Sequence, residues 1–183
     1  MHCVFIAGSR AISRISPQVR EKLDSIMNRN IAVVIGDANG ADKSVQRYLA
    51  EHEYREVTVY CMDSCRNNLG AWRIRHHSGK PGSRHDRLYY GIKDAEMAKD
   101  ATCGFMLWDG ASKGTLTNTL ALLSSGKSVV LYISPKRRIF ELRSLRDFHQ
   151  ALNETGITDV SQFLESMGVR PATSEQPRLV PQP

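Results

Sequence analysis

The sequence predicts an α/β domain of the doubly wound, Rossmann-like kind: a mostly parallel five-stranded sheet with helices on both faces, plus a small helical C-terminal extension. Three observations carry this. Five short apolar runs are near-continuous rather than alternating, as strands buried on both faces are. Helical patterns with apolar residues three and four apart stand between them. The order βαβαβ, then a polar segment, then αβαβ fits right-handed crossovers that lay helices over a parallel sheet. At 183 residues, with 41% hydrophobic and 24% charged side chains, the chain has the size and composition of one globular domain.

Taken in order, His2 to Ala7 reads as the first strand. Pro17 to Met27 is a helix with Ser16 as N-cap and Pro17 at its first position. Ile31 to Ile35 is the second strand, Ala41 to Ala50 a helix carrying Val45 and Leu49, and Val57 to Met62 the third strand. Leu88 to Ala98 is helical, Thr102 to Trp108 a strand, Thr115 to Leu123 a helix and Ser128 to Ile133 the fifth strand. Leu142 to Leu152 and Val160 to Met167 read as short helices. The expected division is a nucleotide-site domain over 1–134, a helical extension over 135–170 and a disordered tail over 171–183, where Pro, Ser and Gln accumulate. Within the first unit, 63–87 reads as a basic, lid-like loop. It carries Arg66, Arg73, Arg75, His76, His77, Lys80, Arg84, His85 and Arg87.

No run approaches the roughly 18 apolar residues needed to span a bilayer, and MHCVFIAGSR does not look like a secretory leader. A cytoplasmic protein with no membrane partner is the expectation. Cys3, Cys61 and Cys103 sit in apolar, strand-like runs and read as buried thiols. Cys61 and Cys65 have a spacing that zinc ligands tolerate, but no second Cys or His pair follows, so neither a metal nor another cofactor is expected. The formal charge of +6 suits an anionic partner.

In an open parallel sheet, ligands bind beyond the carboxyl ends of the strands. The loop after the first strand, Gly8-Ser9-Arg10, offers close backbone approach, a hydroxyl and a guanidinium for phosphate. The loop after the second is Gly36-Asp37-Ala38-Asn39-Gly40-Ala41-Asp42, which opens into a helix. It matches neither GxGxxG nor GxxxxGK[ST]. Its glycines suit an anion, whereas Asp37 and Asp42 suit sugar hydroxyls, and for Asp42 a helix-start role stands level with a ligand role. After the fourth strand, Trp108-Asp109-Gly110-Ala111-Ser112-Lys113-Gly114-Thr115 crowds glycines, hydroxyls and a lysine at a helix N-terminus, the chemistry of a phosphate cradle. On the helix before that strand stand Tyr90, Lys93, Asp94 and Glu96. Asp94, Asp37 and Glu96 are candidate carboxylates for stabilising an oxocarbenium-like transition state. Trp108 or Tyr90 is a candidate for stacking on a base.

These residues resemble the SLOG superfamily, which groups LOG-type nucleoside 5'-monophosphate phosphoribohydrolases, DNA-processing Smf-type proteins and the YpsA- and YspA-related proteins, and is similar in fold to nucleoside 2-deoxyribosyltransferases. The resemblance covers about residues 2 to 133. Its carriers are Ile6-Ala7-Gly8-Ser9-Arg10, Gly36 to Asp42, Lys93-Asp94-Ala95-Glu96-Met97 and Ser112-Lys113-Gly114-Thr115, the first two looking most like the YspA-related branch. It implies a Rossmann-like fold, a homo-oligomer and a nucleotide or nucleotide-derived ligand. LOG-type hydrolases carry an Arg and a Glu where this chain has Lys93 and Asn118. An amide does not ionise and cannot replace a carboxylate as base or nucleophile. Three functions therefore stand side by side: N-glycosidic cleavage of a nucleoside 5'-phosphate by another carboxylate, non-catalytic sensing of a nucleotide, and nucleic-acid binding through 63–87. In the first two, phosphate sits on Ser112 to Thr115 with Ser9 and Arg10.

Overall fold

The computed structural model describes residues 2–78, 87–157 and 161–166 and contains one seven-stranded sheet. The strands are β1 (Cys3–Gly8), β2 (Ala32–Gly36), β3 (Val57–Met62), β4 (Arg73–His77), β5 (Cys103–Trp108), β6 (Val129–Ile133) and β7 (Arg138–Leu142). Their order is β4-β3-β2-β1-β5-β6-β7. Every neighbouring pair is parallel except β6 and β7. The helices are α1 (Pro17–Asn28), α2 (Ala41–Glu51), α3 (Arg87–Asp100), α4 (Lys113–Ser124), α5 (Leu145–Thr155) and α6 (Ser161–Ser166).

The doubly wound class holds, and the strand count is corrected from five to seven. β4 lies inside the segment that reads as a lid-like loop. Its sequence, Arg-Ile-Arg-His-His, is almost wholly exposed, so it has no apolar alternation to announce it and joins the sheet through backbone pairing with β3. β7 lies inside the expected helical extension. A short 3-10 turn, Ser134–Lys136, reverses the chain, and Arg137 takes a left-handed conformation before β7 pairs antiparallel with β6. Residues 79–86 of the basic segment and the tail over 171–183 lie outside the described residues.

Alternation along the strands splits the core between two faces. Val4, Ile6, Phe105 and Leu107 pack with α1 and α2 through Val19, Leu23, Val45 and Leu49. Phe5, Ala7, Met106 and Trp108 pack with α3, α4, α5 and α6 through Met97, Leu116, Phe148 and Leu164. Ser16 caps α1 by accepting from the Val19 amide, with Pro17 beginning the helix. Ser144 and Asp147 form a capping box on α5, and Gly156 ends it in a left-handed turn. No described helix is long and apolar enough to cross a membrane.

Disulfide pairing departs from the thiol expectation at one place. Cys61 and Cys65 are bonded, whereas Cys3 and Cys103 are free and half-buried. Cys61 stands one residue before the end of β3, and the loop that follows brings Cys65 back within 5.0 Å, Cα to Cα, a closeness that linear spacing does not reveal.

Candidate functional site

Strand order reverses between β1 and β5, and the loops leaving their carboxyl ends diverge there, which opens a crevice. A cavity of about 1240 Å³ occupies it. Ser9, after β1, donates its hydroxyl to Asp109 Oδ2, after β5, at 2.6 Å and so ties the two loops across the switch point. Asp109 Oδ1 accepts the Ala111 and Ser112 amides at 3.1 and 2.7 Å. Burial pushes the Asp109 carboxyl up, but the Ser9 hydroxyl and these amides outweigh it and hold the group below the usual carboxylate range.

Ser112 is the N-cap of α4, accepting from the Thr115 amide at 3.4 Å and the Thr115 hydroxyl at 3.0 Å. The α4 N-terminus therefore faces the cavity with Ser112, Lys113, Gly114 and Thr115 in its wall. Aligned peptide dipoles and spare amides make such an end favourable for an anion. Lys113 and Arg10 also line the cavity, and neither has a carboxylate partner among the described residues.

Lys93, Asp42 and Asp94 form the charged floor. Lys93 is 4% exposed and Asp42 5%. Lys93 Nζ donates to Asp94 Oδ1 at 3.0 Å, and Asn118 Nδ2 donates to Asp94 Oδ2 at 3.2 Å. Asp42 Oδ2 accepts the Ala38 amide at 3.3 Å. Lys93 Nζ and Asp42 Oδ2 both press on Gly36: a Cβ there would lie 2.8 and 2.6 Å from them. Burial pulls the lysine down, but Asp94 and Asp42 outweigh it and keep the ammonium charged. Burial pushes Asp42 up to about 6 against the attraction of Lys93.

Asp37 is 1% exposed and does not line the cavity. It binds Arg66, whose Nε and Nη2 donate to its two oxygens at 3.0 and 2.7 Å while the Arg66 amide adds a third bond at 3.1 Å. Burial raises the Asp37 carboxyl, but the hydrogen bonds from Arg66 win and hold it low. The Arg66 guanidinium then stands 5.0 Å from the Tyr90 ring centre, and that of Arg10 stands 5.5 Å from it. Tyr90 is half-buried on the cavity wall.

Of the residues that the sequence singles out, the structure gathers Gly8, Ser9, Arg10, Asp42, Tyr90, Lys93, Asp94, Asp109, Ser112, Lys113, Gly114, Thr115 and Asn118 around one cavity. Gly36 and Gly40 support it from behind. Gly40 has φ +85°, and a Cβ on it would come within 2.3 Å of the Arg10 carbonyl. Trp108 does not line the cavity. It is wholly buried, and its indole N–H donates to the Ser112 carbonyl at 3.2 Å, so it props the α4 loop from the core, and Tyr90 and Phe163 are aromatics on the wall. Glu96 is half-buried away from the cavity, because it stands two residues past Asp94 on α3 and so points elsewhere. Arg66 and Phe163 are site residues that sequence reasoning did not pick out individually.

No protein-family model matches the chain. No curated protein matches it either. Among solved structures the chain is similar to DNA processing protein A from Helicobacter pylori, in a study of its single-stranded DNA binding mode. The match has a TM-score of 0.56 at 14% identity and covers 91% of this chain and 80% of that one. At that identity the likeness establishes the shared α/β, Rossmann-like fold.

Proposed function

We propose that the switch-point cavity binds a nucleotide or nucleotide-derived ligand, in keeping with the SLOG resemblance. One observation carries this reading: the capped N-terminus of α4 shares a cavity with two cations, Arg10 and Lys113, that no described carboxylate neutralises. Phosphate sits on Ser112 to Thr115, the base lies against Tyr90, and Asp42 receives sugar hydroxyls. Asp94 is the carboxylate placed to stabilise positive charge on a sugar ring if the ligand is turned over. Its two oxygens already hold Lys93 and Asn118, and this favours binding without hydrolysis. The protein acts in this reading as a cytoplasmic homo-oligomer.

Calorimetric titration with nucleoside monophosphates and dinucleotides tests the reading, with chromatography of the same mixtures for free base. Saturable binding that is lost in Arg10→Ala supports it. Absence of binding to every member of the panel refutes it, and release of base from a bound nucleotide assigns hydrolysis.

A second reading is single-stranded nucleic-acid binding. It is favoured by the subject of the matched structure and by the exposed side chains of Arg73, Arg75 and His76 on β4. It predicts oligonucleotide affinity that falls steeply with salt, as counterion release requires. Affinity independent of salt rules it out.

A further inference from the structure

At the carboxyl ends of β2 and β3, outside the cavity wall, Asp37, Cys61 and Cys65 bring a carboxylate oxygen and two sulfurs within 4.8 Å of one another. Asp37 is 1% exposed, Cys61 is fully buried and Cys65 half-buried. The two sulfurs are joined in the structure. We propose that, when this disulfide is reduced, Asp37, Cys61 and Cys65 form a binding site for one thiophilic divalent cation of the Zn²⁺ class.

The donors are held by a framework that does not depend on the disulfide. Asn67 Nδ2 donates to the Asp37 carbonyl at 2.8 Å, and Gln46 Nε2 donates to the Gly36 carbonyl at 2.8 Å and the Asn67 carbonyl at 3.2 Å. Breaking the sulfur–sulfur bond therefore frees two ligands without releasing the loop that carries them. A tetrahedral zinc with bonds of about 2.3 Å holds two sulfurs about 3.7 Å apart, a separation reached by side-chain rotation once the bond is gone. The Asp37 carboxylate accepts three hydrogen bonds, all from Arg66. A carboxylate has roughly four lone-pair sites, so one remains for a metal while Arg66 stays in place.

The charges also balance. Two thiolates and one carboxylate sum to three negative charges, and a divalent cation with the Arg66 guanidinium cancels them, which a buried site needs. Thiolates select Zn²⁺ over Mg²⁺ or Ca²⁺. Three protein donors leave a fourth tetrahedral position for water. The chemistry is complete with a dithiol as reductant: the protein disulfide accepts two electrons and two protons and becomes two thiols, and the dithiol becomes a cyclic disulfide. Metal entry then displaces both thiol protons to solvent.

The test uses the full chain, reduced with a phosphine, desalted without oxygen and titrated with Co²⁺ and Zn²⁺. One equivalent is expected to bind with a thiolate-to-cobalt charge-transfer band, and the oxidised protein is expected to show neither. Cys61→Ser and Cys65→Ser should abolish the band, Asp37→Asn should weaken zinc about tenfold or more, and Cys3→Ser with Cys103→Ser should leave binding unchanged. The proposal is overturned if the reduced chain takes up no metal, or if Cys65→Ser binds as the parent does. Should Asp37→Asn not fold, X-ray absorption at zinc in the parent protein decides: two sulfurs with light-atom neighbours supports the site, and any other sulfur count refutes it.

Discussion

Arg66 grips Asp37 through two guanidinium nitrogens and its own amide, which joins the loop after β3 to the loop after β2. The same guanidinium reaches the Tyr90 ring on α3. Asp37→Asn removes the charge that holds this bridge. It is expected to lower stability by about 1 to 3 kcal/mol, since Arg66 is partly solvated and keeps some hydration. Urea unfolding of the variant and the parent measures it.

Lys93 faces both Asp42 and Asp94 beside Gly36, and its replacement by Met removes the ammonium that compensates the two carboxylates. The expected loss is about 3 kcal/mol, the cost of breaking a buried pair from one side. Lys93→Met combined with Asp42→Asn should recover part of it. Equal stabilities for the single and double variants would disprove the coupling.

Asp42 titrates near 6 in the folded chain, above its value when unfolded. A carboxyl whose folded value is raised favours the fold at low pH, and that contribution is lost as pH rises through about 6. Asp42→Asn removes the loss. Relative to the parent, the variant should therefore gain stability between pH 5 and pH 8, as read by denaturant midpoints at the two values.

Gly36→Ala puts a methyl group within 3 Å of both Lys93 Nζ and Asp42 Oδ2. Separating that pair should cost about 1 to 3 kcal/mol, in the range of overpacked cores. Gly114 is the contrasting case, because a Cβ there meets nothing within 4 Å although the residue lines the cavity. Gly114→Leu should fold as well as the parent and lose the nucleotide, which thermal unfolding and calorimetry on one sample would separate.

Sequence periodicity reaches as far as local chemistry does. Ser16-Pro17 marks the start of α1, and the glycine and hydroxyl crowding before α4 marks its cavity-facing end. Lys93 could have been recognised as buried, since Tyr89, Lys93 and Met97 lie at i−4, i and i+4 on one stripe of α3 and all three are buried. Trp108 was ambiguous because an aromatic residue at a strand end can serve core or ligand. Its parity with Met106, two residues back on the inward face, decides for the core. Arg66 stands in the sequence only as one cation of the basic 63–87 segment. Its place depends on Asp37, 29 positions away, and a loop has no period from which such a contact follows.

The chain has two tryptophans, and Trp108 is joined to the α4 loop through the Ser112 carbonyl. The other, Trp72, donates to the Tyr54 carbonyl away from the cavity. The protein thus carries its own optical probe. With Trp72→Phe as background, any occupant that shifts Ser112 changes the polarity around one dry indole, so its arrival can be followed by intrinsic emission without a label.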